Sequence, residues 1–120
     1  MIEIQRVDFV SVLTRDIPRA KRFYSETLGL ELESEGEHDL EFRCGQVTLD
    51  VFDPSSIGQE FAPSPAGLAL RVPDVDAARA ALETQGVVFD GETIVTGVCK
   101  QAWFKDPDGN ALMLHRRFDA

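Results

Sequence analysis

The sequence predicts an α+β fold of two tandem βαβββ modules, with curved mixed sheets around a shared cleft. Three observations predict it. Two segments carry apolar residues at helical spacing, each behind an aspartate, and each follows a short run of strand-forming residues. Laying Asp16 on Asp74 then places Phe9 on Gly67 and one helix on the other. Leu49-Asp50-Val51 falls on Leu112-Met113-Leu114 once the loops absorb a few residues of drift. Neither module alone covers both sides of its apolar sheet, so the expectation is one domain over 1–120, with modules at about 1–53 and 67–120 and a linker at about 54–66.

Residues 7–13 are rich in β-branched side chains and read as a strand. Asp16 before Ile17-Pro18 fits an N-cap with proline in the first helical turn, and Ile17, Ala20, Phe23, Tyr24 and Leu28 form one apolar stripe up to Gly29. A polar stretch over 31–39, a short strand over 40–43, a turn at Cys44-Gly45 and an alternating strand over 46–52 complete the first module. Residues 53–66 hold three prolines and three serines without periodicity, the composition of a linker. The pattern then returns as a strand over 67–72, a helix from Val75 to near Gly86 capped by Asp74, and a short strand over 87–89. A strand-like run over 97–104, a turn at Asp106-Pro107-Asp108-Gly109-Asn110 and a strand over 111–115 follow.

Composition narrows the function classes. The 120 residues are 43% hydrophobic and 28% charged, as in a globular protein. A net charge of −9 repels phosphate backbones and anionic membranes, so nucleic acid and membrane are not expected partners. No apolar run approaches the ~20 residues a membrane-spanning helix needs, and Met1-Ile2-Glu3-Ile4 lacks a signal-like pattern, so a cytoplasmic location is expected. Cys44 and Cys99 have no metal-type spacing and read as reduced thiols.

Several segments carry a family resemblance: Asp16 followed by Arg22-Phe23-Tyr24 and Leu28-Gly29-Leu30, Val72-Pro73-Asp74-Val75-Asp76 followed by Leu82 and Gly86, and above all Phe104-Lys105-Asp106-Pro107-Asp108-Gly109-Asn110. With these the chain resembles, over essentially its whole length, the vicinal oxygen chelate superfamily of glyoxalase I, extradiol dioxygenases, fosfomycin-resistance transferases and bleomycin-resistance proteins. The resemblance implies metal ligands at the first and last strands of each module, which here are Phe9, Asp50, Gly67 and Met113. Only Asp50 offers a suitable donor, so no cofactor is expected.

Side chains at i and i±2 of a strand share a face, so those four positions bring with them Ser11, Leu13, Thr48, Phe52, Ala69, Arg71, Ala111 and His115. The opposite parity collects Val10, Val12, Val47, Leu49, Val51, Leu68, Leu70, Val72, Leu112 and Leu114, an apolar set that must lie under the helices. The expected ligand-binding residues are therefore Phe9, Ser11, Thr48, Asp50, Phe52, Arg71, Met113 and His115, with Asp50 and His115 the candidate catalytic groups. Arg71 can anchor an anionic ligand group, pair with Asp50 or reach solvent. His115 can be a general base or a surface residue, and Asp50 needs a partner if ionised. His38, among Glu35, Glu37 and Asp39, reads as solvated, Trp103 and Phe104 as core or cleft wall, and the facing of Lys100 and Gln101 is open.

The leading expectation is a metal-free protein binding a small organic molecule, similar to the bleomycin-resistance proteins, its acidity favouring a cationic ligand. The alternatives are a glyoxalase-related lyase or isomerase or a dioxygenase-like enzyme in the same cleft, with a displaced metal on Asp50 and His115 as a variant, and a protein-interaction module with a collapsed cleft. A homodimer is expected from the resemblance and from sheet edges that need cover.

Overall fold

A computed structural model describes residues 1–118. The chain divides into two compact units, one spanning Met1–Ala62 and the other beginning at Pro63. The first runs β1 (Phe9–Leu13), α1 (Ile17–Arg22), β2 (Glu31–Glu35), β3 (Asp39–Cys44) and β4 (Val47–Phe52), its four strands forming a sheet ordered β1-β4-β3-β2. The second repeats this with β5 (Leu68–Arg71), α2 (Val75–Thr84), β6 (Ile94–Val95), β7 (Cys99–Lys105) and β8 (Ala111–Arg117), ordered β5-β8-β7-β6. In each sheet the first strand runs parallel to the last and the other pairings are antiparallel.

The helix starts follow from their aspartates. Asp16 accepts from the Arg19 N–H and Asp74 from the Ala77 N–H, both at 3.0 Å. Helix α1 continues as a π-helical turn, Phe23–Thr27, which carries Phe23 and Tyr24 into the core. Tyr24 meets Phe23 edge-on at 5.3 Å between ring centroids and Phe42 at 5.7 Å.

Strand parity divides each sheet. Val12, Leu40, Phe42, Leu49 and Val51 are buried in the first module, and Ala102, Phe104, Leu112 and Leu114 in the second. Burying each large side chain is worth about 1.5–3 kcal/mol, and a one-residue slip would reverse the whole set, so register is strongly held. Ser11 is the register partner of Asp50, as Ala69 is of Met113, which preserves the superposition of the repeats strand for strand.

Three sequence expectations need correction. The polar stretch 31–39 contains a strand, β2, whose Glu31, Glu33 and Glu35 are exposed on an edge and whose Leu32 alone is half-buried, so no apolar alternation marks it. The strand expected over 87–89 is a single bridge, Phe89 to Phe104; the edge strand is Ile94–Val95, because Val88 is exposed and only Phe89 turns into the core. The first strand starts at Phe9, two residues later than expected.

The turn before β8 is a buried polar knot. Asp106 accepts from the N–H groups of Asp108 at 3.0 Å and Asn110 at 2.9 Å and from the Asn110 side-chain amide at 2.8 Å. Asn110 Oδ1 accepts from the Ser64 N–H at 2.9 Å, which fastens the end of the connecting segment to the second module. Gly109, at φ +90°, supplies a backbone conformation other residues rarely adopt.

Candidate functional site

Burial of one parity leaves the other on an open face. In the first module that face carries Phe9, Ser11, Thr48, Asp50 and Phe52 from β1 and β4, and the register adds Asp39, Glu41 and Arg43 from β3. An open basin of about 490 Å³ lies over it. Phe9 and Phe52 give it aromatic walls, Ser11, Asp39 and Asp50 line it with polar groups, and His38 and Ser56 stand at its margin. Phe9 is 57% exposed.

Asp50 is the centre of the basin's electrostatics. Its register partners are Ser11 on one side and Glu41 on the other, and the carboxylates of Asp39, Glu41 and Asp50 lie within 4.8 Å of one another. Burial pushes the Asp50 carboxyl up to about 6; the charge and hydrogen bond of Asp39 and the charge of Glu41 add to it, while the Ser11 hydroxyl, donating at 3.5 Å, opposes it. The expectation that Asp50 needs a compensating partner thus meets two further acids in its own module. Arg43 on the same face is engaged by Glu33 at 2.9 Å and Glu31 at 3.9 Å.

The second module presents different chemistry on the corresponding face. Arg71 on β5 is exposed and opposite His115 on β8, while Met113 lies opposite Ala69. From β7, Gln101 is the register partner of His115 and Trp103 of Met113, which settles the facing of Gln101 on this side and of Lys100 on the other, where its ammonium pairs with Asp76 at 2.6 Å. The Trp103 Nε1–H donates to Gln101 Oε1 at 3.0 Å. Gly67, with φ +71°, lies so close beneath this indole that a Cβ there would overlap Cζ3 and Cη2 of the ring and come to 3.4 Å of Met113 Cε.

Among the expected site residues, Phe9, Ser11, Asp50 and Phe52 line one basin, and Thr48 is half-buried beside them on β4. Arg71, Met113 and His115 belong to the second module's face. Sequence reasoning missed Asp39, Glu41 and Ser56, and placed His38 in solvent alone. His38 is exposed, yet it borders the basin because its carbonyl accepts from the Asp53 N–H at 2.9 Å. The signal for Asp39 and Glu41 was alternation through Leu40 and Phe42, once β3 is aligned on β4.

The residues present do not fit the metal that the fold resemblance implies. Its four ligand positions hold the Phe9 phenyl, the Asp50 carboxylate, the hydrogen of Gly67 and the Met113 thioether, whereas a divalent transition metal takes three or four N, O or thiolate donors. At position 67 the space itself is filled by the indole.

Residues 6–114 match the model of the Glyoxalase/Bleomycin resistance protein/Dioxygenase superfamily. TnmS3, an antibiotic binding protein from Streptomyces sp. CB03234, is 34% identical in a solved structure that superposes with a TM-score of 0.80, covering 98% of this chain and 99% of that one. The uncharacterized protein YaeR of Escherichia coli is 29% identical over 98% of this chain and 100% of its own. Lactoylglutathione lyase from Agrobacterium tumefaciens, 20% identical with a TM-score of 0.79 over 93% of both chains, shares the fold.

Proposed function

The chain belongs to the Glyoxalase/Bleomycin resistance protein/Dioxygenase superfamily, and we propose that it is a cytoplasmic, metal-free, small-molecule-binding member that works as a homodimer. One observation carries the reading: the first module's open basin combines the exposed Phe9 ring and Phe52 with the partly buried carboxylates of Asp50 and Asp39. Apolar walls with a few polar groups favour an organic molecule, and clustered carboxylates within a chain of net charge −9 favour one bearing a protonated amine. The likeness to an antibiotic binding protein supports this class of ligand. Thr48 on the first module's open face, and Arg71, Met113 and His115 on the second module's, are further proposed ligand contacts, each on its own module. Exposed Ile94, Val95, Val98 and Phe118 give a second copy an apolar surface to cover.

A thermal-shift series of aromatic amines against their neutral isosteres tests the proposal. The amines should raise Tm, and Asp50→Asn should weaken the best of them by about 1–3 kcal/mol, the scale of a charged hydrogen bond. Equal shifts by amines and isosteres, or affinity unchanged in Asp50→Asn, would count against it.

A second reading has one observation in its favour. A carboxyl raised to about 6 beside an open basin is poised as a general base, as a metal-independent lyase or isomerase requires. Turnover that rises through pH 6 and disappears in Asp50→Asn would select it. Dioxygenase-like chemistry needs donors that Phe9, Gly67 and Met113 do not supply.

A further inference from the structure

Gly67 and Trp103 occupy one volume by mutual accommodation. Gly67 stands one residue before β5 at φ +71°, a conformation in which any side chain is strained. The Trp103 indole starts on β7 and reaches across β8, the strand carrying Met113, until its six-membered ring lies over the Gly67 Cα. It is tied in place at its other end by the Nε1–H bond to Gln101. A side chain at position 67 would have to enter the ring, while the Met113 methyl would lie beside it at 3.4 Å, in ordinary contact.

We infer that Trp103 is a specificity-determining residue that closes the second module's metal half-site, its indole filling the volume in which side chains at positions 67 and 113 would have to meet an ion. Gly67 is the residue that admits the ring. The inference rests on the metal-free reading above and goes further: the module lacks the space for donors as well as the donors. Restoring ligands at positions 67 and 113 therefore does not restore a metal site while the indole remains. The first module has no such plug, since the position corresponding to Trp103 is Glu41, which pairs with Asp50 as Trp103 pairs with Met113.

The test builds a two-histidine site inside the second module. Gly67→His with Met113→His is prepared in the native background and with Trp103→Ala, and each protein is titrated with Ni²⁺ by calorimetry. Trp103→Ala should tighten Ni²⁺ binding by about tenfold or more, since imidazole is a good Ni²⁺ donor once both rings can reach one ion. Equal binding in the two backgrounds, whether strong or absent, would overturn the inference. Trp103 is the chain's one tryptophan, so the milder Gly67→Ala gives a second readout if the histidine pair does not fold. Its added methyl should push the indole towards water, moving emission to longer wavelength and raising acrylamide quenching; unchanged emission would sink the idea. Stoichiometric transition metal in the unmodified protein would instead overturn the metal-free reading, so the two failures are distinct.

Discussion

The two modules hide the same face and dress the corresponding open face with different chemistry. Phe42 and Phe104 take corresponding places, paired with Leu49 and Leu112, and all four are fully buried. On the open side, Asp39, Glu41 and Asp50 of the first module correspond by register to Gln101, Trp103 and Met113 of the second. One set is three carboxylates over a basin; the other is an indole laid on a glycine and held by an amide. The buried parity is constrained by register, because a slip exposes every apolar side chain at once. The open parity carries no such penalty, so side-chain chemistry there can diverge within one chain and supply function.

The strongest way to break this comparison is through the shared face. Phe42→Ala and Phe104→Ala should each cost about 3–5 kcal/mol in urea denaturation, the range for emptying a fully buried phenyl site. If their roles correspond, the two losses should be similar. A loss near zero at either would show that its module is not held by the core described here.

The modules also differ in how the last hairpin turns. The first uses the two-residue turn Gly45-Gln46, one residue beyond the expected Cys44-Gly45, with Gly45 at φ +64°, whereas the second uses the buried Asp106 knot. Asp106→Ala leaves two backbone N–H groups and the Asn110 amide without their acceptor, and should cost about 2–4 kcal/mol. Far-UV and near-UV melting should shift together. An unchanged Tm would mean that water replaces the carboxylate without loss, and that the knot is no more structural than the glycine turn.

Much of this comparison was readable in the sequence, for a physical reason. The apolar parity, the two Asp caps and the repeat all follow from burial and capping, which leave regular spacing behind. Residues set by pairing leave no such trace. Glu31, Glu33 and Glu35 read as a polar loop because an edge strand can be held by its neighbour's backbone without burying a face. Asp39 and Glu41 join Asp50 through the β3–β4 register, which the sequence fixes only once the hairpin is aligned. The Trp103–Gly67 contact is invisible to periodicity because it spans three strands. The metal-ligand positions, by contrast, came from resemblance alone.

The smallest expected effect is the one that separates the two open faces by pH. Asp50 ionises near 6 in the folded chain against an ordinary value of 3.8, so between those values the folded state holds more of the proton than the unfolded state. The stabilisation of the protonated carboxyl is complete below about pH 4 and is lost as pH rises through 6. Asp50→Asn removes the charge and should therefore be more stable than the parent at pH 8, with the gap closing below pH 4. Because Asp50 is partly exposed, solvent screening reduces the gap to about 1 kcal/mol. Met113→Leu, at the corresponding position of the second module, should keep the parental pH slope, since nothing that titrates is lost there. Urea denaturation of the three proteins from pH 4 to 8 reads both outcomes. If Asp50→Asn proves less stable at every pH, the Ser11 bond outweighs the acid cluster, and the first module's open face is a structural device rather than a place kept for a cation.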